Sequence, residues 1–300
     1  MKMAPDVTVV IPAYNEEASL KSFLPKVVKH CREKGYALVV VNDGSEDATG
    51  RIIDASAKKG GLAALHHKLN RGYGAAVKTG VSAAETEFVV TIDADGQHRL
   101  EDVDRLYEVI VSEDADMVVG SRKDERSASA YRGLGKRLLR GFAKLLMPVP
   151  IYDINSGMKI YRTEVAKACL HLCPDSMSFS DVITLVFLNQ RLRVLETPIK
   201  IGRRTAGKST VSTRTAFETV MAILNILVLF NPMRIFIPMS IVCILAGVIW
   251  GVPHVLAGRG VSVGAMLAIM MGFISFFLGL IAQQLSLLRR SGSNPHRKDR

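Results

Sequence analysis

Short apolar runs alternate with longer amphipathic segments over the first two thirds of the chain. Short runs rich in valine and isoleucine predict strands, and apolar positions repeating every three or four residues predict helices. The predicted strands are residues 7–11, 37–41, 62–66, 87–92 and 117–120. The predicted helices begin at Glu16, Gly74 and Leu100. This alternation predicts an α/β domain with a parallel, doubly wound sheet.

Polar clusters follow four of the predicted strands. They are Tyr14-Asn15-Glu16, after Pro12 has ended the first run, Asn42-Asp43-Gly44-Ser45, Asp93-Ala94-Asp95 and Ser121-Arg122. Ligands of doubly wound sheets bind outside the carboxyl ends of the strands. We therefore expect these four clusters to converge on one site.

The cluster Asp93-Ala94-Asp95 places two like charges at the end of a buried strand. Mg²⁺ and Mn²⁺ prefer oxygen ligands and commonly bridge a few carboxylates to substrate phosphates. A divalent cation shared with a substrate would offset the repulsion, whereas the alternative is a cap on the following helix. A calcium loop is excluded, because His98 occupies the position of its turn glycine.

Glycines at Gly72 and Gly74 begin two further patterns, a dinucleotide fingerprint and a phosphate-binding loop. Both patterns require a glycine where this chain has Val77, so we exclude both.

The last third of the chain is apolar. No Lys, Arg, Asp or Glu occurs at residues 235–258 or 260–288, and each stretch exceeds the roughly 20 residues that a membrane span needs. We predict spans at about residues 234–257 and 262–288. Basic residues flank the pair, and one, Arg259, lies between the spans. The positive-inside rule therefore places the N-terminal domain and the basic tail at residues 291–300 in the cytoplasm.

Helical spacing of Phe217, Leu224 and Val228 predicts an amphipathic helix within residues 212–230, either in the membrane interface or packed on the domain. The predicted organisation is thus an α/β domain at 1–211, this helix, and a two-span segment at 231–290. The positive charge is concentrated at residues 122–144, at residues 200–214 and in the tail. In a chain with two predicted spans, these clusters favour anionic lipid over nucleic acid as the partner. Four cysteines show no metal-site spacing and are expected to be thiols.

An ordered set of motifs resembles inverting glycosyltransferases of the GT-A fold, a Rossmann-like fold for nucleotide-diphospho-sugar transferases. The motifs are VVIPAYNEE, VVNDGS, NRGYGAAVKTG, TIDADGQ and GSR. DINSGMKIY, RRTAGKS and the two apolar stretches narrow the resemblance to polyprenyl-phosphate glycosyltransferases, which include dolichol-phosphate mannose synthases and enzymes that glucosylate undecaprenyl phosphate.

The resemblance implies a donor pocket for a nucleotide sugar. Its nucleotide-binding residues would be Pro12, Tyr14, Glu16, Asp43, Gly72, Asp93 and Ala94. Asp43 would accept a hydrogen bond from a base N–H, which uracil and guanine present, so the donor would be a UDP- or GDP-sugar. Asp93, Asp95 and Gln97 would hold Mg²⁺ or Mn²⁺ against the diphosphate, where a cation stabilises the leaving group.

The acceptor implied by the resemblance is a polyprenyl phosphate, either undecaprenyl or dolichyl phosphate. A phosphate monoester has its second pKa near 6 and is already nucleophilic at pH 7. Its implied ligands are Arg122, Arg137, Arg204, Lys208 and Ser209. Asp153 would orient the acceptor or act as a base, and it joins Asp95 and the three arginines as the implied catalytic set. The family also implies a homo-oligomer, with a tetramer as one form.

The expected reaction is metal-dependent, inverting transfer of a hexose to the lipid phosphate at the cytoplasmic membrane. A processive polysaccharide synthase would need a Gln-x-x-Arg-Trp motif, but the only tryptophan, Trp250, lies within a predicted span. An inactive membrane scaffold on the same fold is the other alternative.

Overall fold

The computed structural model describes residues 6–122, 150–200, 202, 228 and 231–291. The chain separates into two compact units, Met1–Thr219 and Val220–Arg300. The predicted amphipathic helix falls almost entirely outside the described residues, so its position and the domain boundary at residue 211 stay predictions. All four cysteines are described and are unpaired.

The first unit alternates strands and helices, as the sequence pattern predicts. Its strands are β1 Val7–Ala13, β2 Ala37–Asn42, β3 Ala63–His66, β4 Phe88–Thr91, β5 Met117–Ser121, β6 Lys159–Arg162 and β7 Val194–Pro198. Its described helices are α1 Glu17–Lys34, α2 Thr49–Lys58, α3 Tyr73–Ala83, α4 Leu100–Ser112, α5 Thr163–Cys169 and α6 Phe179–Asn189. The single turn of 3₁₀ helix Leu170–Leu172 follows α5.

The seven strands form one sheet in the order β3-β2-β1-β4-β6-β5-β7. Neighbours pair in parallel except at β6, which is antiparallel to both β4 and β5. The five predicted strands, β1 to β5, run parallel to one another as expected, but β6, which the pattern did not predict, makes the sheet mixed rather than parallel throughout. The direction of a four-residue strand such as Lys159–Arg162 depends on its pairing with residues far away in the chain, which the local pattern of apolar residues does not show.

Pro12 was also misjudged, because it lies inside β1 rather than ending it. The strand continues through Pro12, paired with Val41, to Ala13, paired with Asn42. The pairing of β1 with β4 ends at Val10, so at Pro12 one side of β1 is an edge, where proline is tolerated.

The core of the unit lies on both faces of the sheet. Alternate residues of β1 point to opposite faces, so Val9 packs in the cluster formed with α1 and α4. Val10 points the other way, towards α3, where a Cβ at Gly80 would collide with it. This close approach explains why a glycine is needed on α3 and fixes that helix above the centre of the sheet.

The second unit contains helices α7 Met233–Leu256 and α8 Val263–Ser291, which pack against each other. Both helices are long and apolar enough to cross a membrane and are therefore candidate membrane spans. Their bounds agree closely with the predicted stretches. A Cβ at Gly247 would collide with Ile269 and one at Gly272 with Ile244, so glycines allow the two helices to approach closely.

Candidate active site

The four predicted polar clusters lie at one edge of the sheet. The strands β1, β2, β4 and β5 run in the same direction, so their carboxyl ends share that edge. The antiparallel strand β6 begins there, which brings the segment before it, residues 153–157, to the same place. The hydroxyl of Thr91 donates to the Gly157 carbonyl at 2.9 Å and joins this segment to the end of β4.

The loops after β1 and β2 cap each other's helices. The backbone N–H of Glu16 donates to the Thr49 hydroxyl at 2.8 Å, and that of Glu17 donates to the Asp47 carboxylate at 3.1 Å. In return, the Glu17 carboxylate accepts the Ala48 N–H at 3.1 Å. Free N–H groups at helix starts need such partners. The two loops are therefore fixed together, beside the half-exposed ring of Tyr14.

Asp43 is 2% exposed and its carboxylate is already engaged within the protein. One oxygen lies 2.6 Å from His67 Nδ1 and accepts the Arg71 N–H at 3.0 Å, while the other accepts the Gly72 N–H at 2.8 Å. His67 Nε2 lies 2.9 Å from the Thr79 hydroxyl. Asp43 thus anchors the loop before α3, and each carboxylate oxygen offers only limited capacity for a further donor.

The glycines before and within α3 make close contacts with protein backbone. A Cβ at Gly72, which has φ +102°, would collide with the Asp175 carbonyl, and one at Gly74 would collide with the Pro174 carbonyl. Lys78 Nζ donates to the Asp175 carboxylate at 2.6 Å across the same contact. Packing between α3 and this loop therefore requires these glycines.

Asp93 is held on three sides. Its Oδ1 accepts from the Tyr73 hydroxyl at 3.2 Å, and its Oδ2 lies 3.2 Å from His98 Nε2. A Cβ at Gly157 would collide with the carboxylate. Burial alone would raise the pKa of Asp93, but the hydrogen bond and charge of His98 and the Tyr73 hydroxyl outweigh it and lower the pKa. Asp93 is therefore an oriented, ionised carboxylate.

Asp95 and Gln97 lie in the turn that follows. Asp95 Oδ1 accepts the Gln97 N–H at 3.1 Å, and Gly96 between them has φ +72°. The Gln97 carbonyl accepts the Gly202 N–H at 2.8 Å. Within the described residues, no three His, Cys, Asp or Glu side chains converge as a metal cage would require.

Arg122 and Asp153 form a two-pronged ion pair. Arg122 Nε and Nη2 lie 2.5 and 2.6 Å from the two carboxylate oxygens, and the Arg122 N–H donates to the same group at 3.1 Å. Arg122 Nη2 also donates to the Asn155 side-chain carbonyl at 2.7 Å. Burial would raise the pKa of Asp153, but Arg122 outweighs it and keeps the pKa below its ordinary value.

Glu196 on β7 fixes the backbone that carries Asp153. Its carboxylate accepts the Asp153 N–H at 2.8 Å and the Tyr152 N–H at 3.0 Å. Asp153 is thus held from both sides, by Glu196 through its backbone and by Arg122 through its side chain.

Comparison with known protein families agrees with this arrangement. Residues 8–170 match Glycosyl transferase family 2, and residues 231–288 match the GtrB C-terminal hairpin. The chain belongs to glycosyl transferase family 2. It is therefore an enzyme, and its mixed sheet is the GT-A fold that the motifs predict.

Several relatives of this glycosyltransferase have names. An undecaprenyl-phosphate 4-deoxy-4-formamido-L-arabinose transferase from Edwardsiella ictaluri is 32% identical over 207 residues, covering 68% of this chain and 62% of the relative. One from Pseudomonas paraeruginosa is 36% identical, covering 59% of this chain and 52% of the relative. The matches therefore leave more than a third of each of these relatives uncovered. An uncharacterized protein from Methanocaldococcus jannaschii is 33% identical, covering 65% of this chain and 81% of the relative.

Solved structures share the fold. Glucosyl-3-phosphoglycerate synthase from Mycobacterium tuberculosis, in complex with Mn²⁺, UDP and phosphoglyceric acid, superposes with a TM-score of 0.58 at 18% identity, covering 75% of this chain and 79% of that one. S. aureus TarS in complex with UDP superposes with a TM-score of 0.53 at 21% identity, covering 74% and 65%.

The structure brings most of the predicted site residues of the glycosyltransferase to one edge. Ala94 also lies at this edge, but its side chain packs in the hydrophobic core and does not face the site. Four predicted phosphate ligands, Arg137, Arg204, Lys208 and Ser209, lie outside the described residues. Sequence reasoning missed the roles of four residues, although two of them, Tyr73 and Lys159, lie inside quoted motifs; the four are Tyr73, His98, Lys159 and Glu196.

A cavity of about 440 Å³ opens at the opposite edge of the sheet. Thr8, Ala37 and Ala63, at the starts of β1, β2 and β3, contribute to its lining. Because doubly wound sheets bind ligands at their carboxyl edge, we place the active site at the polar clusters and not in this cavity.

Proposed function

We propose that this glycosyltransferase transfers a hexose, with inversion, from a UDP- or GDP-sugar to a polyprenyl phosphate. The observation that carries the proposal is the Arg122–Asp153 pair beside the Asp93–Asp95 turn, in a chain that also has two candidate membrane spans. An arginine fork beside a carboxylate turn suits an anionic acceptor facing a diphosphate donor. The undecaprenyl-phosphate transferases among its relatives support a lipid-phosphate acceptor.

The proposed hexose differs from the sugar in the names of the relatives. The named relatives act on an arabinose derivative, according to their names, and not on a hexose. Sugar selection depends on a few contacts to hydroxyl groups, which no local sequence pattern encodes. Two observations support a nucleotide-sugar donor: Asp43 lies at the carboxyl edge of β2, and structures with the same fold have been determined with UDP.

Mg²⁺ or Mn²⁺ is the proposed cofactor, held by Asp93, Asp95 and Gln97. The residues fit a site that the substrate completes: Asp93 is ionised and oriented, and the half-buried Asp95 lies two residues further on. Magnesium commonly binds through one or two carboxylates together with substrate phosphates, so a closed protein cage is not required. When bound, the cation would neutralise charge on the departing diphosphate. The Mn²⁺ and Mg²⁺ complexes of the M. tuberculosis synthase support this choice.

The proposed acceptor chemistry needs little base strength. A lipid phosphate is largely dianionic at pH 7 and can attack the anomeric carbon directly. Asp153 is a weak base, because Arg122 lowers its pKa. We therefore assign Asp153 to orienting Arg122, and Arg122 to binding the acceptor phosphate, with Arg137, Arg204, Lys208 and Ser209 as further proposed ligands.

One experiment tests the acceptor and the donor together. Membranes containing the enzyme would be incubated with several UDP- and GDP-sugars and with either polyprenyl phosphate or polyprenol, and lipid products would be identified by mass spectrometry. We expect a polyprenyl-phosphate sugar from one donor and no product from the alcohol. Efficient transfer to the alcohol or to a soluble sugar would contradict the proposal.

We also propose an orientation in the cytoplasmic membrane, with the catalytic domain and both termini in the cytoplasm, and assembly as a homo-oligomer. In this orientation Ser262, between the two helices, faces outwards. A cysteine at position 262 should react with an impermeant thiol reagent in intact cells, and one at position 293 should not. The unmodified chain is the control, because it measures any labelling of the partly exposed native Cys243. The reverse labelling would contradict the orientation.

A further inference from the structure

Lys159 is completely buried beneath the proposed acceptor site. It lies at the start of β6, with 0% of its surface exposed. Its Nζ donates to the Ile154 carbonyl at 2.8 Å and to the Ser180 carbonyl next to the start of α6. A fully buried lysine is rare unless it is paired, so this position calls for a specific role.

The surroundings of Lys159 are charged. Asp93, Asp153 and Asp181 interact favourably with its ammonium group, and Arg122 opposes it. Burial lowers the pKa of Lys159 and raises that of its neighbour Asp181, since each charged form loses hydration. The two carbonyls and the nearby carboxylates together compensate a charge that would otherwise be too costly to bury.

The contact with Ile154 connects Lys159 to the Arg122–Asp153 pair. Ile154 follows Asp153 directly, so a carbonyl fixed by Lys159 restricts the backbone from which the Asp153 carboxylate extends. Glu196 fixes the N–H on the other side of Asp153 at 2.8 Å. The backbone is therefore held by Glu196 at the peptide group before Asp153 and by Lys159 at the peptide group after Ile154, while the Asp153 side chain orients Arg122.

We propose that Lys159 is a positioning residue for the acceptor phosphate, acting through the Ile154 carbonyl, Asp153 and Arg122. It does not touch the reacting atoms. Its hydrogen bonds keep the Arg122 guanidinium in the orientation that receives a phosphate. This inference rests on the proposed function, because the role given to Lys159 is to help Arg122 bind the proposed acceptor.

A double-mutant cycle separates this role from a purely structural one. Lys159→Met keeps the volume but removes both hydrogen bonds, and should lower kcat/KM for the acceptor by roughly 10- to 100-fold with donor affinity nearly unchanged. In an Arg122→Ala background, the same change should cost less than about 3-fold, because residues acting through one another are not additive. Lys159→Gln, which retains an N–H donor, should recover part of the loss and serves as the second variant if the methionine variant does not fold.

Lys78→Met is the matched control. Lys78 also bridges two segments, by donating to the Cys173 carbonyl and the Asp175 carboxylate, but it lies on α3 away from Arg122. Whatever its size, its effect should be the same with and without Arg122. Equal effects of Lys159→Met in both backgrounds, or a loss of donor affinity as large as the loss in acceptor kcat/KM, would overturn the inference. Failure of the native enzyme to glycosylate any lipid phosphate would instead overturn the proposed function.

Discussion

The two halves of the site use carboxylates in different ways. In the half formed by β1, β2 and β4, Asp43 and Asp93 accept hydrogen bonds from backbone N–H groups, histidines and a tyrosine. In the half formed by β5 and β6, Asp153 is bound by an arginine fork. The first arrangement orients negative charge mainly through hydrogen bonds, with no arginine or lysine side chain of the described residues bonded directly to these two carboxylates. The second neutralises the carboxylate and orients positive charge.

This difference matches the needs of the two proposed substrates. A metal–diphosphate complex carries a cation, which oriented carboxylates attract, whereas an acceptor phosphate is an anion, which an oriented arginine attracts. The two halves can therefore be tested separately, because a change in one should affect mainly one substrate.

The largest effect is expected from Asp95→Asn, which removes a charge from the donor half. If Asp95 binds the proposed cation, kcat should fall by roughly 100- to 1000-fold, because electrostatic stabilisation of the leaving group is lost. EDTA should inactivate the native enzyme, and Mn²⁺ or Mg²⁺ should restore it. Asp114→Asn, an exposed position with φ +46° that suits asparagine, is the control. Full activity in the presence of the chelator would contradict the proposed metal site in the donor half.

A smaller loss is expected from Arg122→Ala, in the acceptor half. A charge-assisted hydrogen bond contributes about 1.5–3 kcal/mol, so acceptor kcat/KM should fall by roughly 10- to 150-fold. Arg122→Lys should recover only part, since lysine retains the charge but lacks the fork. Steady-state kinetics with varied acceptor measures this, and Arg193→Ala, which removes a surface ion pair with Glu113, is the control. An equal loss of donor affinity would show that the halves are not separable.

Asp43→Ala should weaken nucleotide binding by roughly 10-fold, which corresponds to about 1.4 kcal/mol. It removes both the proposed base contact and the anchor of the loop at Gly72, while kcat at saturating donor should change less. Calorimetry with UDP and GDP measures the affinity, with Asp54→Ala on the exposed face of α2 as the control. Unchanged affinity would contradict the proposed base contact and leave Asp43 with a structural role only.

The smallest effect concerns the pH dependence of stability. The pKa of Asp153 in the folded protein lies below the ordinary aspartate value of 3.8, because Arg122 outweighs the effect of burial. Its ion pair therefore stabilises the protein fully above pH 3.8 and loses its contribution as the pH falls through the folded pKa. Asp153→Asn should therefore lower the Tm at pH 7, and the difference from the native enzyme should shrink below about pH 3.8. A difference that stays constant to pH 2.5 would contradict the ion pair as the cause.

Local patterns predicted much of the donor half. Strands end in polar clusters that are only a few residues long, and parallel neighbours bring those ends together whatever the details of packing. Asp43, Asp93 and Asp95 could therefore be assigned to one edge from the sequence. What the sequence did not predict was the set of partners: Asp43 contacts His67, 24 residues away, and Asp93 contacts Tyr73, 20 residues away.

The acceptor half was predicted less completely. Arg122 was placed at the edge by the cluster after the predicted strand at 117–120, whereas Asp153 was named on resemblance alone. Their pairing across 31 residues was not predicted. It depends on the direction of β6, which also places Lys159 beneath the site.

The sequence by itself determined the fold class, the position of the two apolar helices and the strand ends that carry the site. Each of these depends on periodicity or on neighbours along the chain, which are visible without coordinates. Only the tertiary structure decided the antiparallel insertion of β6, the engagement of Asp43 and Asp93, and the burial of Lys159. These depend on contacts between distant segments, where the energy of pairing and desolvation is set by which groups meet and not by the local pattern of residues.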